Sequence, residues 1–205
     1  MSSNRIGALT GAVFVVCLIA SFVIGGEPPS QDDSVQEIVD FYADQSDGAF
    51  FSGAVLAVLA ITALVFFGGH MRKVFGAASG LGHVLPSVVL AGTIVMAVGA
   101  AFDTTLYLTM HEAVDDVDPL AMQTLNALWN NDFVPMAVGG IVFSLASGLA
   151  VLRYGVLPKW LGWVAIVLAV ITFTPIGFAG FAGTGLWILV VSIMLAVRDE
   201  EPAAA

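Results

Sequence analysis

Residues 50–73, FFSGAVLAVLAITALVFFGGHMRK, decide how this chain folds. The stretch 50–69 carries no charge, and roughly 20 apolar residues are what an α-helix needs to cross a hydrocarbon core of about 30 Å. It ends in His70, Met71 and two adjacent cations, Arg72 and Lys73. An apolar run with a basic exit marks a membrane helix whose cations stay on the cytoplasmic side.

Working outward, the same pattern recurs along the chain. Uncharged runs fill 6–26, 84–102 and 133–152, the second of them continuing as a helical span to about 108. The stretch 160–197 is also free of charge but too long for one ordinary crossing, and Pro175, Gly177, Gly180, Gly183 and Gly185 interrupt it. Proline removes a backbone donor and glycine favours turns, so this region reads as a tight hairpin of two short spans, 160–174 and 180–197. The expectation is an all-α, polytopic six-helix transmembrane bundle occupying 1–205 as one integral-membrane domain. Composition agrees: with 59% hydrophobic residues, 11% charged and a mean hydropathy of +0.96, the chain lacks the polar surface to cover a water-soluble globule.

Arg5 precedes the first run, whose length exceeds the ~7–15 residue core of a cleaved signal, so the run is expected to stay as an anchor. Six crossings then put Arg5, Arg72, Lys73, Arg153, Lys159 and Arg198 on one side, with both termini inside. The acids take the other side. Glu27, Asp32, Asp33, Glu37, Asp40, Asp44 and Asp47 fall in the first outer loop, and Glu112, Asp115, Asp116, Asp118 and Asp132 in the second. Asp199, Glu200 and Glu201 form an inner tail, and Asp103 alone sits within a span. A net charge of −10 argues against nucleic-acid partners, which need basic surfaces. The outer acids suit a solvated face, divalent cations or a basic protein.

Both outer loops contain amphipathic helices, expected at 34–45 and 119–130. Ser34 and Glu37 have capping-box spacing, and Val35, Ile38, Val39 and Tyr42 form an apolar stripe expected to lie on the membrane. Asp118 caps the second helix with Pro119 at its first position; Ala121, Met122, Leu125, Leu128 and Trp129 form its stripe, with Trp129 at the lipid interface. Each amphipathic helix is followed by an acid (Asp47, Asp132), an aromatic start (Phe50, Phe133) and a basic exit (Arg72, Arg153). This order suggests a parallel internal repeat, a device found in transporters and in plain helical bundles alike. Gly7 and Gly11, and Gly140, Ser144 and Gly148, have the small-residue spacing that lets helices approach closely in lipid.

Asp103 is the leading functional candidate. A helix from Pro86 to Met110 puts it about 10 Å from the outer end at 1.5 Å per residue, on one face with Gly92, Met96, Gly99 and Tyr107. A carboxylate at that depth is costly to ionise unless something pairs with it, and intramembrane acids mark ion or solute sites. The alternative is a carboxyl satisfied by a hydroxyl, Tyr107 being the nearest. His111, beside Glu112, Asp115, Asp116 and Asp118, is a weaker candidate for a divalent ion. His70 and His83 flank a short loop at one depth; two imidazoles so placed could ligate haem, but flanking a polar loop is the plainer role. No cofactor, metal or catalytic residue is assigned. Cys17 is alone, which excludes an internal disulfide and a cysteine-ligated cluster. No GxSG setting and no second intramembrane acid exists for a membrane protease, so an enzyme is not expected.

Val39-Asp40-Phe41-Tyr42, the turn Ser46-Asp47-Gly48 and the apolar span ending Gly69-His70-Met71-Arg72 resemble uncharacterised multi-pass membrane proteins of actinobacteria and related prokaryotes. The resemblance covers about the first hundred residues. It implies a six-helix fold in a prokaryotic plasma membrane and carries over no functional residue. The sequence therefore leads to a non-enzymatic membrane component, an accessory or partner-binding subunit in contact with lipid and with another membrane protein or a second copy. The alternative is a small transporter or channel using Asp103 and an acidic outer vestibule.

Overall fold

The computed structural model describes residues 3–26, 28–79 and 83–198, and every regular element among them is an α-helix. Glu27, Asp199, Glu200 and Glu201 lie outside the described residues. In chain order the helices are α1 (Ser3–Gly25), α2 (Val35–Asp44), α3 (Asp47–Ser79), α4 (Leu85–Ala113), α5 (Pro119–Asn131), α6 (Phe133–Tyr154), α7 (Lys159–Thr172) and α8 (Gly177–Arg198). Helices α1, α3, α4 and α8, together with the stretch Pro119–Tyr154 that contains α6, are long and apolar enough to cross a membrane. α7 is apolar but has 14 residues. At 1.5 Å per residue it reaches about 21 Å, short of a full hydrocarbon core.

α1, α3, α4, α6, α7 and α8 form a closed ring: each packs on the next, and α8 returns to α1. α2 and α5 pack on each other across one end as a cap. The opposite end gathers the cations. Lys73 Nζ donates to Asn4 Oδ1 at 2.6 Å beside Arg5, and Arg198 donates to the Val156 carbonyl in the linker bounded by Arg153 and Lys159. The units α1–α2–α3 and α4–α5–α6 have the same order of elements, and in each the two long helices lie side by side.

Glycine sets the helix spacing. A Cβ on Gly92 or Gly99 would come within 2.5 Å of the backbone nitrogen of Phe143 or Met136, and one on Gly139 would overlap the backbone of Met96. These contacts bring α4 and α6 almost backbone to backbone, a packing that in lipid replaces hydrophobic drive. Gly7 and Gly11 admit His70 and Phe67 of α3, and Gly148 meets Gly162 of α7. Around them lies the main core, with Phe67, Phe143 and Trp187 at its centre.

Three expectations change. α3 does not stop near residue 69 but runs on to Ser79, because Met71 and Phe75 continue its buried face; Arg72 and Lys73 are helical, not in a connector. α8 begins at Gly177 rather than 180, since Gly180 and Gly183 serve as helical contacts with Thr172 and Leu168 of α7 and only the segment 173–176 turns. The turn bonds its own backbone, with Thr174 N donating to the Ile171 carbonyl and Gly177 N to the Thr174 carbonyl, as apolar surroundings require. Finally, the stripes of α2 and α5 do not lie on the membrane. Ile38 and Tyr42 bury against Met122 and against Met110 of α4, so the two amphipathic faces cover one another.

Candidate functional site

Inside the ring, directly beneath the cap, lies a chamber of about 120 Å³. Its walls come from the capped halves of α1, α3 and α4 and from the first turns of α6 and α8, through Met136 and Phe181. Most of the lining is Ala, Leu, Ile, Phe and Met. Phe22, 61% exposed, and Gly26 also line it, so the chamber reaches the outside beside the end of α1.

Asp103 supplies the acid of this chamber. It stands one turn beyond Gly99, the glycine that holds α4 against α6, and ten residues before the end of α4 at Ala113. That is about 15 Å along the axis, deeper than the sequence suggested, because the helix continues past Met110. Trp129 of α5 faces the same space. Its indole N–H is buried, lies near enough to the Asp103 carboxyl to act on its charge, and meets no acceptor at hydrogen-bonding geometry. Asp132, at the joint of α5 and α6, is only 8% exposed; its Oδ2 has no hydrogen-bond partner, and its charge is felt at Asp103. The sequence had placed Asp132 among solvated outer acids and Trp129 at the lipid interface. Both turn inward because they continue the α5 face that begins at Met122 and Leu125, at steps of three and four.

Tyr107 does not satisfy Asp103. Its hydroxyl lies 2.8 Å from the Gly25 carbonyl and 2.9 Å from Gln45 Oε1, and Gln45 Nε2 donates to that same carbonyl. Tyr107 therefore clamps the end of α1 to the joint of α2 and α3. Tyr42, fully buried, places its hydroxyl 3.4 Å from Asn126 Oδ1. Burial, with Tyr107 and Asp103 nearby, raises the Tyr42 phenol above its ordinary value of 10.0 and keeps it neutral. Asn126 Nδ2 reaches the carbonyls of Pro29 and Ser30, and Asn130 also reaches Pro29, which ties the linker after α1 down onto α5.

His111 has a structural setting. Its ring stacks on Phe50 at 3.7 Å; Nδ1 is 3.1 Å from the Tyr42 carbonyl and Nε2 3.3 Å from Asp47 Oδ1. The neighbours expected from the sequence, Glu112, Asp115, Asp116 and Asp118, are not its partners in these bonds. Among the described residues no group of three or more His, Cys, Asp or Glu side chains is placed to hold a metal ion. His70 packs against Gly7 of α1, and the His83 ring lies 5.7 Å from Tyr154 of α6, so the two imidazoles face different helices.

Searches of family models, curated proteins and solved structures find no match to this chain.

Proposed function

We propose that this chain is a non-enzymatic, multi-pass protein of a prokaryotic plasma membrane that binds or conducts a small solute through the chamber at Asp103. In this reading all six ring helices cross the bilayer, α7 and α8 as a short hairpin, with both termini on the cytoplasmic side and the cap outside. The segregation of the cations at the end opposite the cap supports that orientation. One observation carries the function: among the described residues Asp103 is the acid that lines the central cavity, and no Lys, Arg or His lines it with Asp103. Such a group destabilises the empty protein, and a site for a charged or polar solute is its ordinary reason for persisting.

The test is proton and monovalent-cation flux in proteoliposomes. Wild-type protein should conduct, and Asp103→Asn should conduct at no more than the rate of empty vesicles. Equal flux through both removes Asp103 from the mechanism. A second reading, an accessory subunit, draws on the cap surface, where Asp33, Glu37, Asp40 and Asp44 border a shallow open groove with Phe41 and Gln45. It suits a partner with a basic face. Extraction in mild detergent should then retrieve a stoichiometric partner, and repeated isolation of this chain alone removes the reading.

A further inference from the structure

We propose that the ligand of the chamber is a small organic ammonium ion, its charge held by Asp103 and its alkyl part by the apolar walls. The inference rests on the chamber being the functional element, and it narrows the solute to one chemical class.

Charge is the first argument. Asp103 is the one carboxyl among the lining residues, and all six Lys and Arg side chains lie at the far end of the ring. His111, the histidine of the capped end, directs its nitrogens at Tyr42 and Asp47 instead of at the chamber. An anion would add a second negative group. A neutral apolar guest would leave the Asp103 carboxyl without a counter-charge.

The walls decide which cation. Calcium takes 6–8 oxygen ligands and magnesium a near-octahedral shell. Here the side-chain oxygens of the lining are those of Asp103, Ser21, Thr104 and Tyr107, too few for either shell, and most of the remaining lining is aliphatic or aromatic. An ammonium group needs fewer oxygens. Tyr107, Trp129, Phe22 and Phe181 line the same cavity, and a cation over an aromatic face gains about 0.5–2 kcal/mol as water is excluded. Size sets the limit: an apolar protein cavity of roughly 150 Å³ holds benzene, so about 120 Å³ fits a primary amine with a chain of some four carbons.

The experiment uses the full chain in phosphatidylcholine nanodiscs, whose neutral headgroups do not concentrate cations. n-Butylammonium is titrated against 1-butanol and potassium, by calorimetry and by tryptophan fluorescence. The amine should bind, with 1-butanol and potassium at least tenfold weaker, and Asp103→Asn should weaken the amine by about thirtyfold or more, as truncating one partner of a buried charge pair does. Trp129→Phe should retain binding and lose the fluorescence change. Equal binding of 1-butanol overturns the ammonium assignment while leaving a binding chamber. Equal binding to Asp103→Asn overturns it as well. Cation flux that depends on Asp103, without amine binding, sinks the ligand class and keeps the transport reading; neither flux nor binding sinks both. If Asp103→Asn does not accumulate, the pair of ligands on wild-type protein still decides, since only a charged chamber separates two guests of one length.

Discussion

At the basic end of the ring, α1 and α8 come close enough for one hydroxyl to serve both: Ser192 Oγ donates to the Ala8 carbonyl at 2.5 Å and accepts from Ala12 N at 2.9 Å. At the capped end, Leu18 and Phe181 of the same two helices face a cavity instead. Ala8, Met71, Phe75, Ala150 and Val151 in the basic half are fully buried, whereas the capped half holds the chamber and, on its wall, the acid Asp103. Close packing stabilises, and unfilled polar space does not. The difference assigns stability to one half and ligand chemistry to the other.

The largest expected effect breaks the frame that both halves share. Gly139→Leu forces a side chain into the backbone of Met96 and should cost about 3 kcal/mol or more, read as loss of folded protein in a denaturant-resistance assay in detergent. Gly69→Ala, with open space around its Cβ, is the control and should be neutral or stabilising by up to about 1 kcal/mol. If both behave alike, glycine contacts do not set the spacing of α4 and α6.

Next comes a pair that tests the contrast directly. Ala150 is fully buried in the packed half, and Ala100 lines the chamber. Ala150→Leu should cost about 2 kcal/mol through overpacking; Ala100→Leu should cost under about 1 kcal/mol, because the added carbons enter space that is already there, and should block any ligand. Equal penalties would mean that the chamber closes up in solution. A smaller effect is expected at Ser192→Ala, about 0.6 to 1.7 kcal/mol for an interhelical hydroxyl bond in lipid. Ser21→Ala beside the chamber, whose hydroxyl bonds only within α1, should leave stability unchanged in the same assay.

The packed half was the more legible of the two. Runs of twenty uncharged residues, basic exits and glycine spacing are properties of single helices, and they agree with the order of the long helices and with the close contacts at Gly7 and Gly11. Gly139, whose contact with Met96 is tighter than any made by its neighbour Gly140, was not singled out, since the sequence does not say which way a glycine points. The chamber itself was hidden for the same reason. It depends on α5 folding back over the ring, and a stripe such as Met122, Leu125 and Trp129 fits a lipid surface as well as a partner helix. The signal that separates them is Asp132, three residues beyond Trp129 on the same face, since an acid there does not suit lipid. Asp103 was found because a lone carboxylate in a span stands out by composition, while its partners were misassigned: Tyr107, one turn away, turned out to serve Gly25 and Gln45.

The smallest expected effect concerns the roof of the chamber. Glu37 Oε2 accepts from Ser34 N at 2.9 Å and from Ser34 Oγ at 2.7 Å, while Ser34 Oγ accepts from Glu37 N at 3.3 Å. These two bonds, the side-chain one first, hold the Glu37 carboxyl below its ordinary value of 4.5. A lowered folded value means that the box contributes its stability above 4.5 and loses it as pH falls through the folded value. The first turn of α2 should then fray in acid while Ile38 and Tyr42 keep the rest of the helix docked. Amide exchange at residues 34–38 should rise from neutral to acid pH, after correction for intrinsic rates, and exchange near Ala150 should not. Glu37→Gln retains an acceptor oxygen but has no proton to gain, so it should remove the pH dependence. A variant that frays in acid as wild type does would place the sensitivity elsewhere in the cap.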